Sequence, residues 1–177
     1  EGLHASIPVA RRLGCPTLIT QVGMDTGEPR ALQHASVVSG LRAAAPTLEA
    51  EGITLVIEPL NLRVNHPGYY LYSSDEAFDM VKEVNSPRVK VLFDIYHQQI
   101  TEGDVTARLL ANIDWIGHFH AAGNPGRHEL ASGELNYRYI LRMIAQTGYS
   151  GYVGLEYLPA GAPLEGLMDT AAMVREI

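Results

Sequence analysis

Ile53-Thr54-Leu55-Val56-Ile57-Glu58 is the stretch that decides the fold. Apolar residues occupy both odd and even positions, so both faces of the implied strand are buried, as in a parallel sheet covered by helices. Gly52 breaks the chain just before it, and a carboxylate ends it. Similar short runs are expected at residues 17–22, 90–95, 115–122 and 152–157, separated by helix-like segments. That alternation is the signature of consecutive βα units.

The intervening helices are legible from their stripes and stops. Residues 32–50 place Val37, Leu41, Ala44, Ala45 and Leu48 on one face, with a kink expected at Pro46. Ser73 followed by Glu76 is a capping box for a helix carrying Ala77, Met80, Val81 and Val84. Asp104 is the expected cap of a short helix. Residues 137–147 form another helix stopped by Gly148, and residues 164–177 the last. At the front, Pro8 starts or kinks a helix that Gly14 ends. Between residues 123 and 136 lies a long connection with three glycines, a proline and no apolar period. Ordered loops of that length tend to be functional. The order of elements fits a doubly wound sheet or part of a barrel, and the polar residues must decide between them.

Glu58, Asp94, His120 and Glu156 each fall at or near the end of a strand, at intervals of about 30 residues, the length of one βα unit. Strand alternation aligns Glu58 with Val56, Asp94 with Leu92, His120 with His118 and Glu156 with Gly154, so all four can face inward together. In a parallel barrel such strand ends converge on one mouth. Three carboxylates and an imidazole gathered there repel one another or shift their pKa unless a cation sits among them. The oxygen-rich set with one histidine suits Mg²⁺, Mn²⁺ or Co²⁺ better than a closed zinc site.

Composition sets outer bounds. The 177 residues are 46% hydrophobic and 19% charged, ample for one domain spanning residues 1–177. The formal charge is −7, and the 13 basic residues form no stripe, which disfavours a nucleic-acid partner. No apolar run approaches the roughly 18 residues of a membrane span and no signal-like segment opens the chain, so a cytoplasmic protein without a membrane partner is expected. Cys15, the only cysteine, excludes an internal disulfide and is expected to be a buried, inert thiol.

Ile57-Glu58-Pro59-Leu60-Asn61, Phe93-Asp94-Ile95-Tyr96-His97, Gly117-His118-Phe119-His120, Pro125-Gly126-Arg127-His128-Glu129, Gly133-Glu134-Leu135-Asn136-Tyr137 and Gly154-Leu155-Glu156-Tyr157 resemble, in order, blocks of hydroxypyruvate isomerase-like proteins. These belong to the xylose-isomerase-like TIM-barrel superfamily, with ketose 3-epimerases and endonuclease IV. The resemblance implies a (β/α)₈ barrel of which this chain carries about five units, the first three strands being absent, since a complete barrel has eight in about 250 residues. It implies one divalent metal ion at Glu58, Asp94, His120 and Glu156, with Glu58 and Glu156 also moving protons. His97 and Arg127 match positions that bind substrate oxygens.

The chemistry implied is isomerisation of a small hydroxy-oxo acid or sugar. A divalent ion chelating a carbonyl and the adjacent hydroxyl acidifies the shared C–H and stabilises an enediolate, while a carboxylate moves the proton. Return of the proton by the same glutamate to the neighbouring carbon gives aldose–ketose isomerisation. Delivery by the second gives a ketose 3-epimerase, the nearest alternative; His120 is the residue type of those epimerases, where many hydroxypyruvate isomerases carry Gln. An endonuclease IV-like nuclease needs a larger His-rich zinc cluster and a basic groove. A non-catalytic sugar-binding barrel need not keep both glutamates. Arg127 could clamp a substrate carboxylate with its planar fork. His118 reads as a core or supporting residue. Tyr69, Tyr70 and Tyr72 form either an aromatic wall over the mouth or packing against the next helix. Five strands with two unpaired outer edges also make a homo-oligomer an expected state.

Overall fold

In the computed structural model, which describes residues 2–177, five parallel strands stand in simple order, β1-β2-β3-β4-β5. They are β1 (Thr17–Thr20), β2 (Thr54–Ile57), β3 (Val89–Asp94), β4 (Ile116–Ala121) and β5 (Val153–Leu155). Each is followed by at least one helix, so every crossover returns the chain to the same end of the sheet. This is a barrel arc and not a doubly wound sheet: the strand order never reverses, and no switch point exists.

The central strand explains why the arc holds together. Val89, Val91, Leu92 and Phe93 in β3 are fully buried, and Phe93 stacks between Phe78 of the preceding helix and Phe119 of β4. Val56 and Leu92 fill the inner face, while Ile57, Val91 and Phe93 meet the outer helices. β1 and β5 are the outermost strands, and Ile19 and Leu155 on them are exposed. Only three residues of β5 are regular, fewer than the sequence suggests, because its ladder is one-sided.

Seven α-helices flank the sheet: α1 (Gly2–Leu13), α2 (Arg30–Glu51), α3 (Ser74–Val84), α4 (Ile95–Thr101), α5 (Val105–Ala111), α6 (Tyr137–Gln146) and α7 (Pro163–Arg175). Half of the expected capping box of α3 forms: the Ser73 side chain accepts from the Glu76 amide, while the Glu76 carboxylate turns to Arg30 and Tyr70. α2 runs to Glu51 with Pro46 inside it and Leu48 fully buried, close to the expected span. Three expectations need correction. Asp104 makes no side-chain cap; its φ of 49° puts the carboxylate out of reach of the first turn of α5. Residue 95 is not strand: Asp94 ends β3 and at once caps α4, its carboxylate accepting from the His97 amide at 3.1 Å. Cys15 is exposed, because it follows Gly14 in the turn out of α1, beside the outermost strand β1.

Among the described residues no helix is long and apolar enough to cross a membrane.

Candidate active site

The parallel register brings the four predicted residues together. Asp94 pairs with His120 across β3 and β4, and His120 with Gly154 across β4 and β5. Glu58 follows directly on β2 and Glu156 on β5. Gly154 is needed here for space, since a Cβ on it would lie 3.0 Å from both His118 Nε2 and His120 Cδ2. The two imidazoles stack edge to face at 5.1 Å, giving His118 the supporting position expected of it.

Ligand-type atoms of Glu58, Asp94, His120 and Glu156 all lie within 4.8 Å of one another, a group that could hold a metal ion. His120 Nδ1 is 3.4 Å from Glu58 Oε1 and 3.2 Å from Glu156 Oε2, yet it is aligned for a hydrogen bond to neither. Glu58 Oε1 is likewise buried without a partner. Polar atoms so placed are normally satisfied, and orphaned ones concentrated at a single point mark the place of a missing partner. Three oxygens and one nitrogen converging on that point fit a hard divalent cation.

The electrostatics carry the same imprint. Burial, together with the charge of Glu58, pushes the Asp94 carboxyl up to about 7. Burial opposes the charge on His120, but Glu156 and Glu58 outweigh it and raise the imidazole to about 10. Glu156 is held down at about 2, first by His120 and then, against a burial cost, by Arg127. Without a cation the cluster thus balances its negative charge with bound protons and one guanidinium.

Arg127 comes from the long loop between β4 and α6. Its Nη2 donates to Glu156 Oε2 at 2.5 Å, lies 3.9 Å from Asp94 Oδ2, and the guanidinium sits 5.3 Å over the Tyr96 ring. The loop is a built object. Leu158 N–H donates to Arg127 O, His128 Nδ1 meets Leu158 O at 2.8 Å, and Glu129 accepts from the Ala160 amide, so the segment carrying Glu156 is zipped to the segment carrying Arg127. At the loop's other end, Tyr137 OH donates to Ala122 O and accepts from Ala122 N–H, fixing the exit of β4. Gly133 closes the turn with φ +98°, and a Cβ there would fall 2.2 Å from Asn124 O. A Gly133→Ala variant is therefore expected to lose about 3 kcal/mol or more of stability. Denaturant titration of the full-length protein checks this, and an unchanged midpoint would contradict it.

His97 stands beneath the cluster instead of in the open mouth. It is fully buried, its Nε2 is 3.6 Å from Asp94 Oδ2, and burial first, then Arg127, depresses its pKa to about 3. The tyrosines resolve in favour of packing. Tyr69 bridges Val22 N–H and the Glu58 carbonyl, and Tyr70 donates to Glu76 on α3. Sequence reasoning assigned no role to Asn61, Asn65 or Tyr96, although Asn61 and Tyr96 lie in the quoted motifs. An asparagine following a strand end reads as a turn residue, and nothing local distinguishes it from one with a buried partner.

Comparison with known proteins places this geometry. The chain is 44% identical over 138 residues to 2-oxo-tetronate isomerase of Cupriavidus necator, covering 78% of this chain and 53% of that protein. It is 38% identical over 168 residues to hydroxypyruvate isomerase of Escherichia coli, covering 94% and 65%. A crystal structure described as AP endonuclease, family 2, from Brucella melitensis superposes with a TM-score of 0.90 at 38% identity, over 96% of this chain and 65% of that one. The chain thus spans less than two thirds of the length of these relatives, in keeping with five strands of eight. Residues 1–177 match the family described as xylose isomerase-like TIM barrel, and the chain belongs to that family.

Proposed function

We propose that this chain carries the metal-binding and proton-transfer part of an isomerase for small hydroxy-oxo acids, within one barrel domain that includes residues 1–177. The observation that carries the reading is the convergence of Glu58, Asp94, His120 and Glu156 within 4.8 Å, with an arginine at the edge of the same cluster. Those four residues would hold one divalent ion, Mg²⁺, Mn²⁺ or Co²⁺, which when bound supplies Lewis-acid polarisation of a substrate carbonyl.

The chain's own residues account for the remaining work. Glu58 is buried, and its Oε1 makes no hydrogen bond to the protein. Glu156, which follows β5, is within 3.2 Å of the same His120 Nδ1 and is half exposed. Either carboxylate can accept a proton from the carbon next to a carbonyl, and closeness to the substrate makes that transfer effectively intramolecular. If one glutamate takes the proton and returns it to the neighbouring carbon, the product is an isomer; if the second delivers a proton to the opposite face of the same carbon, it is an epimer. His97 and Arg127 are the substrate-oxygen contacts. The mouth beside Arg127, Tyr96 and Glu156 is a cavity of about 570 Å³, roomy for a three- or four-carbon acid.

An oxo acid is favoured over a neutral ketose by Arg127, whose planar fork matches a carboxylate, and by the names of the two curated relatives, both of which denote oxo acids. A nuclease needs a cationic groove, whereas this chain carries −7 and the cluster holds one histidine. The test is proton NMR of hydroxypyruvate, tartronate semialdehyde and several ketoses in D₂O with the full-length protein and Mg²⁺ or Mn²⁺. Interconversion of the two acids with deuterium entering at C3 of hydroxypyruvate and C2 of tartronate semialdehyde is the expected result. Turnover of ketoses alone would assign the chain to the epimerases. Arg127→Lys should lower kcat/KM on an oxo acid by about 30-fold, the equivalent of about 2 kcal/mol from a lost charge-assisted bond, with a smaller change on a ketose. Equal losses on both would make Arg127 a structural loop residue.

A further inference from the structure

The Asn61 amide has only one possible orientation. Its Oδ1 accepts from two backbone amides, Val64 N–H at 2.9 Å and Asn65 N–H at 3.3 Å, groups that can only donate. The NH₂ end must therefore face the other way, and there it donates to His97 Nδ1 at 2.6 Å and to Asn65 Oδ1 at 2.9 Å. The backbone N–H of Asn61 points at the same imidazole nitrogen from 3.3 Å. Two obligate donors on Nδ1 leave that atom no role but acceptor, so the single proton of a neutral His97 resides on Nε2. Both residues are fully buried, so bulk solvent does not compete with Asn61 for Nδ1.

His97 Nε2 is then a buried donor with nothing to donate to: it has no hydrogen-bond partner and lies 3.6 Å from Asp94 Oδ2, outside bonding range. An unsatisfied donor beside the carboxylate cluster is costly unless something brought to the site accepts from it. Asn61 reaches the other substrate contact as well. Asn65 Oδ1, held by Asn61, accepts from Tyr96 OH at 3.0 Å, and the Tyr96 ring lies under the Arg127 guanidinium.

We propose that Asn61 is a positioning residue that locks His97 as its Nε2–H tautomer, so that His97 meets the substrate only as a hydrogen-bond donor, aimed at a carbonyl or hydroxyl oxygen, and never as a proton acceptor. The word substrate here rests on the isomerase reading; the tautomer does not. A donor fixed before the substrate arrives stabilises negative charge developing on that oxygen without reorganisation. An aspartate at 61 keeps the shape but places a carboxylate against Nδ1, which draws the proton to that side.

The experiment is a two-bond proton–nitrogen correlation spectrum of the full-length protein labelled with ¹⁵N-histidine, read for His97 in the wild type and in Asn61→Asp. The expected result is a protonated Nε2 and bare Nδ1 in the wild type, and a protonated Nδ1 in the variant. With that change kcat/KM on hydroxypyruvate should fall about a hundredfold, mostly in kcat. A wild-type spectrum with the proton on Nδ1 overturns the proposal even if the variant does not fold. So does an unchanged tautomer in Asn61→Asp, or a changed tautomer with unchanged turnover. A wild type that shows Nε2–H but turns over none of the acids or ketoses supports the tautomer and counts instead against the isomerase reading.

Discussion

Glu58→Gln and Glu156→Gln each stop the exchange of a substrate C–H proton with solvent, by about a thousandfold, while leaving the fold intact. The amide keeps the volume and one acceptor oxygen of the carboxylate but cannot take up a proton, and positioned general bases contribute about 10²- to 10⁴-fold. Glu58 tolerates the change structurally because its Oε1 makes no hydrogen bond that the variant would break. Glu156 loses its ion pair with Arg127, which is partly exposed and of modest structural worth. Deuterium incorporation followed by proton NMR is the measurement, with circular dichroism as the folding control. Wild-type exchange in either variant rejects its role as a base. Loss in one variant alone identifies that glutamate as a single base; loss in both shows that both are needed, and the product seen by NMR, isomer or epimer, tells which transfer they perform.

Removing Asp94 and His120 together should lower the affinity for Mn²⁺ by about a thousandfold or more, beyond the reach of calorimetric titration. Even groups that only support metal ligands are each worth roughly 10- to 100-fold in affinity, so two direct ligands are worth at least their product. In the wild type, Mn²⁺ should bind with one-to-one stoichiometry, and chelation should abolish C–H exchange in parallel. Unchanged titration of the Asp94→Ala, His120→Ala protein would place any ion elsewhere. The effect is large because these positions are the two most central of the cluster, joined across β3 and β4, with Asp94 almost wholly buried.

The parts of the fold that could be read from the sequence are those where one physical signal dominates. Residues 53–58 are apolar on both faces because β2 is covered on both, and Ser73 with Glu76 forms a cap whichever helix follows. Readings failed where local and tertiary preferences conflict. Asp104 is a favourable capping type by sequence, but its backbone takes a φ of 49° and its side chain makes no cap bond. Ile95 is β-branched and follows a strand, yet the Asp94 carboxylate has already turned the backbone into α4. The four-residue cluster was visible because strand ends in a parallel arc share one level, which spacing reveals. Asn61 was not, since its partner His97 lies 36 residues away and only the folded chain sets them 2.6 Å apart.

Asp94 occupies two roles that are usually filled by different residues. As the cap of α4 it accepts from the His97 amide, a task that serine, threonine or asparagine performs about equally well. As a member of the cluster it must bring a full negative charge into the interior, which none of those three can do. The side chains that satisfy the helix and the side chains that satisfy the site overlap in a single residue type. On the proposed function, variation at position 94 is thereby decoupled from foldability: Asp94→Asn should keep the architecture, since asparagine also caps a helix, and should silence the mouth. A survey of related chains that scores structural integrity alone would pass such a protein as sound. Under that reading the residue at 94, more than the shape of the barrel, separates a working member of this lineage from a preserved shell.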